Sequence, residues 1–191
     1  MLAKGRLSDA SVSDVIEKTL REPVVDRSTI GARFQYALPI SGAAGMNITK
    51  QYIDGDWDWI VVNGGGNDLW MGCGCLICDA KIDRLISEDG MTGTIPGFLS
   101  DMRQTGAKVI YVGYMRSPGL PSPIEHCKDE GAELEARVAT LATKDAGLTF
   151  VSLEDLVPHG DGSFHMVDMI HPSQKGSNAI GQMIANVIGG V

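Results

Sequence analysis

Four short apolar runs, Pro23 to Asp26, Trp57 to Asn63, Lys108 to Gly113 and Leu148 to Leu153, are rich in Val, Ile and Tyr and alternate with stretches of helical periodicity. Strands that are nearly continuous in apolar residues must be covered on both faces, and the helices between them supply the cover. The alternation predicts a parallel sheet inside a three-layer α/β fold, a flavodoxin-like sandwich. Ser11 is placed to cap a first helix whose apolar residues are Val12, Val15, Ile16 and Leu20. Ile95, Phe98, Leu99 and Met102 follow at i, i+3, i+4 and i+7, behind Thr94 as cap and Pro96 in the first turn, with Gly106 as the stop. Leu134, Val138 and Leu141 mark an amphipathic helix within Ile124 to Lys144, and Ile180, Met183, Ile184, Val187 and Ile188 mark a last one. Without a repeat or linker, residues 1–191 read as a single domain, and a hydrophobic share of 43% suffices for one core.

Charge narrows the partners. Against 16 basic residues stand 24 acidic ones, a net charge of −8, and no Lys/Arg cluster traces a phosphate backbone, so nucleic acid is not an expected partner. No stretch approaches the ~18 consecutive apolar residues of a membrane span. The start, Met1 to Arg6, lacks the apolar run of a signal peptide.

Parallel sheets bind ligands beyond the carboxyl ends of their strands, which points to loops beginning near Ser28, Asn63, Tyr114 and Glu154. In Asn63-Gly64-Gly65-Gly66-Asn67-Asp68, three glycines permit a tight turn and Asn67 can present its amide over the strand ends; no phosphate-binding glycine motif is present. In Asp168-Met169-Ile170-His171-Pro172-Ser173, an Asp three residues ahead of a His can accept the imidazole N–H and leave the other nitrogen free as a general base. A helix-entry turn capped by Ser173 is the plainer reading of that segment. His159 and His165 read as rim residues, and the segment with Pro118, Pro121 and Pro123 reads as a stiffened loop at a strand end. Asp54, Asp56 and Asp58 lack the distal Glu of a calcium loop and read as a solvated turn.

Taken in order, Val24 to Gly31, Gly65-x-Asn67-Asp68 and Asp168-x-x-His171-Pro172 resemble three of the four motif blocks of the SGNH (GDSL) hydrolase superfamily. The resemblance spans roughly Ser11 to Ile188. It implies hydrolysis of an ester or related acyl bond of a small molecule or acylated carbohydrate, without a metal or organic cofactor. It further implies that Gly31 N–H and the Asn67 amide bind the oxyanion while Asp168 and His171 form the acid/base arm. Asp26 stands where the family often has Asn. The first block, a strand ending in Gly-Asp-Ser, is not found, and Ser8, Ser11, Ser13 and Ser28 are weak substitutes for its nucleophile. The expectation is that Met1 directly follows the missing block, so that the serine lies upstream, the first central strand is absent and the given chain is inactive. A signal peptide on such an upstream segment would place the protein in the periplasm or outside the cell. Two alternatives remain: a catalytically inactive domain that binds an acylated sugar or protein, and a metal-dependent hydrolase built on the cysteines.

Those cysteines are Cys73, Cys75, Cys78 and Cys127. Their even number and clustering point to two disulfides, with a structural metal assisted by His126 or free buried thiols as alternatives. Bridging Cys73 to Cys75 would be strained, so within the disulfide reading one bond from the cluster to Cys127 is expected.

Overall fold

The computed structural model describes residues 11–36, 45–119 and 122–190. Three strands, β1 (Trp59–Val62), β2 (Lys108–Val112) and β3 (Leu148–Val151), form a parallel sheet in the order β1-β2-β3. Trp59 pairs with Lys108 and Val62 with Tyr111, while Val109 pairs with Leu148 and Val112 with Val151. Among the described residues six α-helices accompany them: α1 (Val12–Leu20), α2 (Gly66–Cys73), α3 (Asp79–Leu85), α4 (Thr94–Gln104), α5 (Lys128–Ala142) and α6 (Gln174–Gly189). No described helix is long and apolar enough to cross a membrane.

The two-residue period of the strands divides the interior into two cores. Val109 and Tyr111 of β2, with Leu148 of β3, pack against α2 to α5 through Leu69, Ile82, Leu85, Phe98, Leu99, Leu134 and Val138. Ile110, Val112 and Val151 point the other way, onto Val12 and Ile16 of α1 and Ile180 and Ile184 of α6. A sheet covered on both faces is the three-layer arrangement that the apolar runs predict. Ser11 caps α1 with a full capping box, its hydroxyl accepting from Asp14 N and the Asp14 carboxylate accepting from Ser11 N, which satisfies two otherwise orphaned donors. Ser173 caps α6 through its hydroxyl alone, accepting from Gly176 N.

Four local expectations are corrected. Pro23 to Asp26 joins no ladder, because no described strand pairs with it; Val24 N donates instead to Glu17 Oε2, and Asp26 accepts from Ser13 Oγ and Ser28 N. The outer edge of β1 likewise has no strand partner among the described residues. At α4, Gly93 rather than Thr94 is the cap, with φ of 124°; the Thr94 hydroxyl donates to Arg84 O. Helices α2 and α3 lie in a stretch read only as loop and cysteine cluster. His165, read as a rim residue, is buried, its backbone forming a bridge with Pro172 just ahead of the next helix. Asp54, Asp56 and Asp58 are exposed, as a solvated turn requires.

Cys73 is bonded to Cys78 and Cys75 to Cys127, which removes the free-thiol and metal alternatives for these sulfurs. Cys75, His126 and Cys127 lie close enough together to hold an ion, but two of the three sulfurs and nitrogens are committed to the disulfide. The two bonds close loops with sequence separations of 5 and 52 residues, so chain entropy makes the second the stronger brace, about 4 kcal/mol against about 2. Urea unfolding should show this directly: replacing Cys75 and Cys127 by Ala should lower stability by more than replacing Cys73 and Cys78. The reverse order would mean that loop length does not set their worth.

Helices α1 and α6 approach closely at Gly181, where a Cβ would stand 2.6 Å from Val15 Cβ and 3.0 Å from Val12 O. Any side chain there must push the helices apart. Gly181→Leu should cost about 1 to 3 kcal/mol in the same measurement, and an unchanged midpoint would show the contact to be looser than described.

Candidate functional site

A cleft of about 980 Å³ opens at the carboxyl ends of the strands. The loop after residue 28, the Asn63–Asn67 turn, the segment after β2 and the segment before α6 all contribute to its walls. Gly31, Asn67, Asp168 and His171 line it together, although they span 140 residues of sequence. This convergence was expected; the way each one is held was not.

Asn67 lies in the first turn of α2. The turn before it is fixed from β2 and its following loop: Asn63 Nδ2 donates to Val112 O (2.8 Å) and Gly113 O (3.1 Å), Tyr111 donates its hydroxyl proton to Gly64 O, and Gly66 N donates to the Tyr114 hydroxyl. Gly65 has φ of 102°, a conformation that strains any L side chain, and a Cβ there would also crowd Leu134 Cδ2 at 2.5 Å. Burial pushes the Tyr111 and Tyr114 phenols well above their ordinary range, and both stay protonated. Tyr114 is itself positioned by Glu135 of α5, whose carboxylate accepts from Tyr114 N and from Arg116 Nη2 (2.8 Å).

The neighbouring Asp68 has no exposed surface. Its carboxylate accepts from Phe34 N (2.9 Å) and Gln35 N (2.8 Å), which fastens the chain after Gly31 to the start of α2. Asn67 Nδ2 completes the seam by donating to Ala32 O (3.2 Å). Burial raises the Asp68 pKa, and the two backbone donors, with Lys81 and Arg33 further off, oppose the rise. Gly31 has φ of 78° and stands at the bend of this loop.

Asp168 and His171 occupy a single turn ahead of α6. His171 Nδ1 lies 2.7 Å from Asp168 Oδ2, while Oδ1 accepts from the backbone N–H groups of Ile170 and His171, each at 3.0 Å. Met169 between them has φ of 54°, the left-handed conformation that brings the two side chains onto one side of the turn. Partial burial opposes the Asp168 charge, but the hydrogen bonds from the His171 ring and the two amides outweigh it and lower the pKa. Both side chains remain about two-fifths exposed, open to the cleft. His159 also lines the cleft, whereas the buried His165 does not.

The serines divide plainly. Ser11 is a buried cap, Ser13 donates to Asp26, Ser28 lines the cleft and donates to Asp26 Oδ1 (2.6 Å), and Ser8 lies outside the described residues. Among the described residues no serine hydroxyl meets the outer nitrogen of His171.

Comparison with known proteins agrees with this architecture. The profile of the GDSL-like lipase/acylhydrolase family matches residues 5–179. One solved structure superposes with a TM-score of 0.67 at 12% identity, covering 98% of this chain and 87% of that one. The native aryl esterase of M. smegmatis gives 0.57 at 16% identity, covering 95% and 86%, and the lipase Lip_vut3 from a goat rumen metagenome gives 0.55 at 17%, covering 93% and 87%. At such identities these structures speak for the fold alone. No curated protein matches in sequence. With the family profile spanning nearly the whole chain and the same fold in its structural neighbours, the chain belongs to the GDSL-like lipase/acylhydrolase family.

Proposed function

We infer that this domain hydrolyses an ester or related acyl bond with Asp168 and His171 as its acid/base arm, and that the attacking serine is carried on a strand upstream of Met1. The observation that carries the reading is the 2.7 Å Asp168–His171 bond in a cleft that also holds Gly31 and Asn67. With Nδ1 turned to the carboxylate, Nε2 is the nitrogen left to take the proton of an attacking hydroxyl and return it to the leaving alcohol, while Asp168 stabilises the imidazolium between the two steps. Asn67 has two amide hydrogens, and Ala32 O occupies one; the other, with Gly31 N–H, serves the tetrahedral oxyanion. Such donors are worth ~10²-fold or more in rate each.

Among the described residues, the outer edge of β1 and the Pro23 to Asp26 segment have no strand partner, and both support the position of the serine. A strand inserted between them would satisfy both edges, and its carboxyl end would deliver the serine into the cleft. The mechanism uses no metal or organic cofactor. Small esters and acylated sugars both suit a cleft of this size and mixed lining.

Two measurements test the reading. In the natural product bearing the upstream strand, His171→Ala should lower turnover of a short-chain aryl ester by at least ~10³-fold, because the triad acts as a unit; retention of most of the turnover would remove His171 from the chemistry. The 191-residue chain without that strand should be inactive on the same ester, and robust hydrolysis by it would relocate the nucleophile to one of its own serines.

A further inference from the structure

Leu69 to Cys78 is a run of ten residues without a charged side chain, and at its tip Leu76 and Ile77 stand together with 80% and 86% of their surface in water. Met71, on the same run, is 49% exposed. Apolar side chains this exposed usually belong to loose loops, which can fold them away. This loop cannot. Cys73–Cys78 closes it across its base, Cys75–Cys127 ties it to the start of α5, and both Cys75 and Cys78 are buried, so the cystines turn inward and hold the two residues between them outward. Through Leu69 and Trp70 the same run, with the Cys127 to which it is bonded, lines part of the cleft.

We propose that this cross-linked loop is an anchor that inserts Leu76 and Ile77 into the surface of a neutral lipid layer and holds the mouth of the cleft against it. Size argues against a protein partner: three partly exposed side chains offer a few hundred Å², well short of the ~800 Å² per partner of a stable protein interface. A tip of two apolar residues instead matches shallow insertion at a lipid boundary, where binding scales with the apolar area buried. Charge selects the kind of surface. The net charge of −8, with exposed Asp79, Glu125 and Asp129 outnumbering exposed Lys128 beside the disulfides, opposes an anionic layer and leaves a zwitterionic one. With two side chains the anchorage is weak and reversible, suited to a protein that samples a surface rather than residing in it. Such binding is separate from hydrolysis and requires no nucleophile.

The test is co-sedimentation of the full 191-residue chain with phosphatidylcholine vesicles, beside the double variant Leu76→Asp, Ile77→Asp, whose unchanged near-ultraviolet circular dichroism establishes that it is folded. The parent chain should partition to the vesicles and the variant at least ~10-fold more weakly, and because apolar insertion is not screened, about 0.5 M NaCl should leave the parent's binding in place. No sedimentation of the folded parent, equal partition of the variant, or loss of binding in salt would overturn the proposal. So would a parent dimer that the variant dissociates, since a second copy would then be what covers the tip.

Discussion

The geometry of the cleft depends first on one buried carboxylate. Asp68 has no exposed surface, and its two oxygens are spent on the backbone N–H groups of Phe34 and Gln35. A charge in that position is costly unless it is met by donors, and donors in an irregular loop are costly unless they are met by an acceptor. Each half therefore compels the other. The consequence is that the loop containing Gly31 is held against the first turn of α2, which carries Asn67, and both residues line the same cleft.

A second buried carboxylate, Glu135, does for the opposite wall what Asp68 does for this one, holding Tyr114 N and Arg116 and through Tyr114 the amide of Gly66. Burial raises both pKa values, with the hydrogen bonds opposing it. For an acid whose folded pKa is raised, the native state binds the extra proton, so these two groups cost stability as pH climbs from the ordinary carboxylate value through the raised one. Asp168 behaves oppositely: its lowered pKa gives stability above the ordinary aspartate value that is lost as pH falls through the folded one. The two positioning carboxylates and the exposed Asp168 thus carry opposite pH signatures.

Much of this was legible in the sequence, and the rest was hidden for definite reasons. Three of the four apolar runs became strands because each has a neighbour to pair with; Pro23 to Asp26 did not, since an apolar run specifies a strand only where another edge is available. Helix α2 escaped notice because Gly66, Gly72 and Cys73 blur its periodicity, and α3 because its seven residues bury only Ile82 and Leu85, too short a stripe to read. Gly31, Asn67, Asp168 and His171, which line one cleft, were singled out through the spacing of known motif blocks. Asp68, Tyr114 and Glu135 were not, because an Asp after Asn, or a Glu in an amphipathic helix, looks like any surface residue until the chain that supplies its donors has been brought alongside. The cysteine pairing was open among its alternatives for the same reason, since it rests on the placement of α5 against the loop.

The account stands most directly on the Asp68 clamp, and amide hydrogen exchange reads that clamp without reference to activity or substrate. In an Asp68→Ala variant, the Phe34 and Gln35 amides should exchange at least ~10-fold faster than in the parent, each having lost a buried acceptor. The central amides of β2, Ile110 to Val112, should keep their protection. Unchanged exchange at Phe34 and Gln35 would contradict the account, because the loop bearing Gly31 would then be held in place by something other than the carboxylate.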